Sequence, residues 1–153
     1  MNNSEKKFLF NLLSAPSPTG FETEGQKVWV KYVKKYTQTV NNDAYGTAWA
    51  TIKGKSAKSP IVMLEAHADE IGYIVKQIGK DGFLRLDRVG GSDAATGRGR
   101  RINLLGDKGP VKGIIGNTAI HLRKDSLGNE KAPKIYDLYV DIGASNPKEV
   151  AKL

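Results

Sequence analysis

Ile61-Val-Met-Leu-Glu-Ala-His67-Ala-Asp69-Glu70-Ile-Gly72 is the stretch that decides how this chain folds. Its first half, Ile61 to Ala66, is mainly apolar and has the length and type of a strand buried inside a sheet. The expected strand delivers a histidine, a small residue and an aspartate where it ends. His-x-Asp suits a metal site, because the imidazole coordinates the ion while a nearby carboxylate orients the ligand and tunes its basicity. Residues two apart on an extended segment point the same way, so Asp69 falls on the side of His67 and either ligates or supports it. Glu70 points the other way and reads as a structural or solvated carboxylate. At the mouth of a sheet these side chains are expected to face a crevice.

Working back from this stretch, residues 4–14 place Phe8, Leu9, Leu12 and Leu13 on one helical face, with Ser4 as the expected cap. Pro16 and Pro18 stop that helix. Thr19-Gly-Phe-Glu22 has the form of a capping box. It predicts a second helix over about 20–36 that buries Val28, Trp29, Tyr32, Val33 and Tyr36. Thr37–Val40 and Ala48–Lys53 read as strands around the turn-rich Asn41–Gly46, followed by an exposed loop over 54–60. Helices, hairpin and buried strand together predict an α/β sandwich.

Working forward, five strand-like runs follow: Tyr73–Ile78, Phe83–Val89, Arg101–Leu105, Val111–Ile115 and Tyr136–Ile142. Glycine turns and a polar loop over 123–134 separate them, and Asp81-Gly82 between two apolar runs is a strong hairpin signal. Short strands at regular spacing with almost no helix predict a small antiparallel barrel. The boundary between the two parts falls near Gly72, giving parts over 1–72 and 73–153.

Composition sets the limits. The chain has 153 residues, 39% of them hydrophobic and 26% charged, enough for a packed core. With no cysteine, neither disulfides nor thiolate ligation is available. No apolar run approaches the roughly 18 residues of a membrane span, and the N-terminus lacks a signal-peptide pattern, so a cytoplasmic protein without a membrane partner is expected. The net charge of +8 invites a nucleic-acid reading, with Arg85, Arg88, Arg98, Arg100 and Arg101 as its densest cluster. No DNA- or RNA-binding motif accompanies it, and solvated lysine faces account for most of the excess, so no nucleic-acid partner is expected.

The other candidates carry less chemistry. His121 has no carboxylate at ligand spacing and reads as structural or surface. Asp137 and Asp141 suit turn and capping duties. Gly90-Gly-Ser-Asp93 reads as a tight turn, lacking the spacing of a phosphate loop and a following helix. A metal-assisted hydrolase needs about three protein ligands per ion and a base for the attacking water. One histidine and one or two carboxylates are clustered here. Either the remaining ligands lie outside this chain, or it is not a complete enzyme.

The order of motifs resembles the N-terminal part of the tetrahedral-particle (TET-type) metallo-aminopeptidases, glutamyl aminopeptidases and cellulase M-like proteins among them. The matching pieces are Ser17–Glu22, Asp43–Gly46, Ala66–Gly72, Asp81–Phe83, Val89–Gly91, Gly113–Gly116, Ile120–Leu122 and Asp137–Ala144, collinear over nearly the whole chain. The resemblance implies a dinuclear aminopeptidase that acts on peptides with two divalent ions, zinc or cobalt. It makes His67 a ligand to one ion and Asp69 the supporting carboxylate at the catalytic site. Residues from about 73 onward become an inserted PDZ-like dimerisation barrel, containing His121 and Asp141, and the subunits assemble from dimers up to twelve-subunit particles. The bridging aspartate, the catalytic glutamate and the remaining ligands lie downstream in the family, so the 153-residue chain alone is expected to be inactive. Two positions depart from the pattern: Thr19 stands where serine is usual, and Thr47 where asparagine is. A reading of another class is a non-catalytic barrel module for assembly or peptide binding by strand addition. A glucanase finds no support, since no paired carboxylates can be placed at glycosidase spacing.

Overall fold

The computed structural model describes residues 1–123 and 131–153, which divide into two units, Met1–Glu70 and Ile71–Leu153. The middle of the polar loop expected over 123–134 lies outside the described residues.

The first unit opens with α1 (Asn3–Ser14). Its cap is Asn2 rather than Ser4. The Asn2 side chain accepts from Glu5 N at 2.9 Å, and the Glu5 carboxylate takes Asn2 N at 2.8 Å, a complete capping box two residues earlier than expected. Helix α2 (Thr23–Val33) is shorter than the expected span of 20–36. It packs on α1, and the rings of Phe8 and Tyr32 stack at 3.8 Å between centroids. Val28, Trp29, Tyr32 and Val33 are half-buried, whereas Leu13 and Tyr36 stay exposed. Strands β1 (Val40–Asn42) and β2 (Ala48–Ala50) form a short hairpin. Asp43 folds its connection by accepting the amides of Tyr45 and Thr47 at 3.0 and 2.9 Å.

The strand expected over Ile61–Ala66 is not formed. The segment carries no ladder, and Ile61, Val62, Met63 and Leu64 are 99%, 78%, 80% and 94% exposed. An apolar run forms an inner strand only where neighbours take its backbone groups and cover both faces. The described part of the first unit offers two helices and a three-residue hairpin, which supply neither.

The second unit is a five-stranded antiparallel sheet in the order β3-β4-β7-β6-β5. Its strands are β3 (Gly72–Ile78), β4 (Leu84–Val89), β5 (Arg101–Gly106), β6 (Gly109–Asn117) and β7 (Leu138–Asp141), one for each of the five expected runs. Leu84 pairs with Val140, and Val140 with Ile115, so one apolar rung crosses three strands. With Leu86 and Leu138, all nearly inaccessible, they form the core, and Ile102, Leu104 and Val150 pack against it. Alternation along β4 and β7 selects these residues, one face of a period-two strand turning inward. At Lys76 the β3–β4 register slips by one residue, a β-bulge. Helix follows the Gly90-Gly91 turn after all: Asp93 caps a single turn, α3 (Ala94–Gly97), through Ala95 N at 2.8 Å. The chain ends with another short turn, α4 (Pro147–Val150), capped by Asn146.

Candidate metal-ligand site

Ala68, Asp69 and Glu70 belong to no helix or strand, and their conformation is fixed by a segment some fifty residues away. Pro18 and Glu70 form an isolated parallel bridge, in which Glu70 N donates to Ser17 O at 2.8 Å. Ser17 N donates to the Glu70 carboxylate at 3.0 Å, and Ser17 Oγ to Ala68 O at 2.8 Å. Ser17 is buried, so these bonds satisfy polar groups that water does not reach. Glu70 thereby serves as a structural carboxylate.

Thr19 closes the latch. Pro18, Thr19, Gly20 and Phe21 form a turn closed by Phe21 N to Pro18 O at 2.8 Å. Gly20 sits at φ +88°, the left-handed value that the third position of a type II turn requires. Thr19 Oγ1 donates to Asp69 Oδ2 at 2.7 Å. The expected capping box is therefore not made: Thr19 is turned toward Asp69, and Glu22 accepts from Gly20 N at 2.6 Å instead. The cap reading failed because a distant carboxylate competes for the same hydroxyl.

The other oxygen of Asp69 faces the imidazole. His67 Nδ1 lies 3.0 Å from Asp69 Oδ1 and 2.9 Å from Asp69 O. Both partners are acceptors only, so in the neutral ring the proton sits on Nδ1 and the lone pair on Nε2. The Thr19 hydrogen bond is the first cause holding the Asp69 carboxyl below its ordinary pKa; desolvation opposes it, and its own backbone and the His67 ring add to the lowering. A carboxylate behind one ring nitrogen with the other nitrogen unprotonated is the arrangement of a histidine metal ligand.

The expected crevice is missing. The His67 side chain is 85% exposed, and among the described residues no group of three His, Cys, Asp or Glu side chains gathers around a point. His121, on an exposed turn at Ile120–Leu122, and Asp141, whose Oδ1 takes Gly143 N at 2.8 Å, belong to the second unit. Asp137 accepts Lys134 N at 2.8 Å, the turn duty expected of it. Ser17 and Thr19 escaped recognition as site residues because no local spacing marks a bond across fifty positions. Their only signal was the co-occurrence of Ser-Pro-Thr-Gly with Ala-His-Ala-Asp-Glu in one chain.

The family model of the M42 glutamyl aminopeptidases matches residues 46–153. The chain belongs to that family. The putative aminopeptidase SgcX of Escherichia coli is 33% identical over 155 residues, an alignment that takes in 100% of this M42 chain and 41% of the relative. A TET aminopeptidase from a marine-sediment Thaumarchaeota archaeon superposes with a TM-score of 0.87 at 29% identity, over 98% of this chain and 42% of that one. The TET1 peptidase of Pyrococcus horikoshii, described as able to assemble into a tetrahedron or a large octahedral shell, gives 0.77 at 28% identity over 97% of this chain and 43% of that one. The chain thus spans about two-fifths of the length of these relatives. The mixed α/β fold with an antiparallel sheet is similar to the part of the TET aminopeptidase structure that it covers.

Proposed function

We propose that the protein carrying this sequence is a metal-dependent aminopeptidase that removes N-terminal residues from peptides, with His67 as one ligand to a divalent ion and Asp69 as its supporting carboxylate. The observation that carries this reading is the pairing of Nδ1 with Asp69 Oδ1 at 3.0 Å in a chain of the M42 family. The donor set fits one corner of a zinc or cobalt site: a single imidazole with a free Nε2 lone pair, backed by an anion. About three protein ligands are needed per ion. The described residues thus contribute one ligand, and the other ligands and the general base come from other parts of the protein. When bound, a pair of divalent ions supplies Lewis acidity at the scissile carbonyl and an acidified water. Within this chain, Asp69 fixes the imidazole tautomer, and the Ser17–Glu70 latch holds the backbone that carries both.

The second unit, in this reading, is the dimerisation insert, a PDZ-like barrel of which the five-stranded sheet is the main part. It divides the protein between catalysis in residues 1–72 and assembly in residues 73–153, in subunits that associate from dimers to dodecamers. The assembling TET1 peptidase supports this reading. A cytoplasmic location accords with the lack of cysteine and with the described helices, none of which is long and apolar enough to cross a membrane.

The test uses a protein that contains this sequence and spans the full length of its relatives. Release of nitroaniline from aminoacyl-nitroanilides is expected to require added zinc or cobalt. It should vanish with His67→Ala and fall about 10–100-fold with Asp69→Asn, the usual cost of losing a partner behind a ligand. Full activity of His67→Ala would overturn the assignment.

A further inference from the structure

The hydroxyl of Thr19 is committed neither to a helix cap nor to its own turn. It donates to Asp69 Oδ2 at 2.7 Å, while Asp69 Oδ1 stands 3.0 Å from His67 Nδ1. The carboxylate thus accepts from both sides, from the Thr19 hydroxyl at Oδ2 and from the imidazole N–H at Oδ1. Thr19 is itself held from both sides. The turn closed by Phe21 N to Pro18 O fixes its φ and ψ, and Ser17 and Glu70 exchange backbone and side-chain hydrogen bonds immediately before it. The Asp69 side chain is 36% exposed. Without the hydroxyl, water competes for Oδ2 and the carboxylate turns about its terminal torsion, which is broad and roughly two-fold. That rotation takes Oδ1 away from the ring and leaves Nδ1 only the Asp69 carbonyl, at 2.9 Å, so the preference for the Nδ1–H form weakens.

We propose that Thr19 is a positioning residue for His67: by fixing Asp69 Oδ2 it aims Oδ1 at Nδ1 and so keeps the Nε2 lone pair available to a divalent cation. The inference rests on the metal-ligand reading of His67 for its purpose, but its geometry can be tested without metal or substrate. The family-typical serine at this position keeps the same donor. The threonine methyl adds the χ1 stiffness of a branched side chain.

The experiment is long-range proton–nitrogen correlation spectroscopy of the imidazoles in the 153-residue chain, at a pH where they are neutral, with His121→Gln used to assign His67. In the unaltered chain His67 is expected mainly in the Nδ1–H form. Thr19→Val, which removes the hydroxyl at constant shape, should shift the population several-fold toward Nε2–H, and Thr19→Ser should restore it. Thr19→Ala is read in parallel, so the outcome does not hang on how valine packs, and amide spectra establish that each variant is folded. An Nε2–H majority in the unaltered chain, or an unchanged tautomer ratio in Thr19→Val and Thr19→Ala, overturns the proposal. In the longer protein the same two variants are expected to weaken zinc binding about tenfold, the low end for groups behind a ligand. A tautomer shift without peptidase activity would sink the aminopeptidase reading and leave Thr19's role intact; activity without the shift would do the reverse.

Discussion

Ser17 is the residue on which the local geometry of the site depends most. Its buried hydroxyl donates to the carbonyl of Ala68, and its amide donates to the carboxylate of Glu70. Ser17→Ala removes the donor to the Ala68 carbonyl, which is exposed enough for water to replace it, so the change costs about 0.5–1.5 kcal/mol, the net worth of an ordinary hydrogen bond. In a unit of this size that lowers the melting temperature by roughly 4–8 °C per kcal/mol. Thermal unfolding followed by tryptophan fluorescence checks this, because Trp29 and Trp49 both lie in the first unit. A larger residue should do worse: a Cβ built on Gly25 of α2 would already stand 2.8 Å from Ser17 Oγ, so there is no room to grow on either side. A Ser17→Ala protein that melts with the unaltered one would show that the latch does not hold this segment.

At the scale of elements, the second unit is tied together where β6 passes β7. Gly113 is buried, and a Cβ there would meet Val140 Cγ1 at 2.6 Å and Ile142 Cγ2 at 3.0 Å. Val140 is fully inaccessible and cannot move aside. Gly113→Ala is therefore expected to destabilise the sheet by about 1–3 kcal/mol through overpacking, measured as a lower midpoint in urea with an unchanged slope. A second expectation concerns acid. The Lys76 ammonium, first, and the Arg88 amide hold the Asp87 carboxyl below its ordinary value. Its contribution is fully present above the unfolded carboxyl pKa of about 3.9 and is lost as pH falls through the lower folded value. Asp87→Asn should flatten this part of the acid limb of melting temperature against pH, and added salt should do the same because the pair is exposed. The strands were legible in the sequence for the same reason that they are stable. Alternation of Leu84 and Leu86, or of Leu138 and Val140, is local information, and the Asp81-Gly82 turn is too. Helix ends were less legible, because Asn2 and Thr19 depend on which of several partners wins a hydrogen bond.

At the scale of the molecule, the His-x-Asp pair was readable because two residues apart on extended backbone face one way, whereas its setting was not. Four consecutive large apolar residues, Ile61–Leu64, are exposed on both faces. An extended segment apolar on both faces is the composition of an inner strand with layers above and below it, and burying it requires material beyond residues 1–70. A polypeptide restricted to residues 1–153 is accordingly expected to bind a hydrophobic dye strongly and to self-associate as concentration rises. Replacing Val62 and Leu64 with lysine should abolish both effects without lowering the melting temperature, because both side chains are largely exposed, 78% and 94%. In a protein of the relatives' full length the same double substitution should be severely destabilising, since there the charges would be forced into a covered sheet. The same polypeptide should show no zinc-dependent aminopeptidase activity, as its described residues gather one imidazole where about three ligands are needed. The two outcomes are linked through the strand itself. If amides 61–66 of the short chain proved protected from hydrogen exchange and the dye did not bind, the strand would already be paired. The site at its end would then have to be rebuilt as a crevice rather than an open surface.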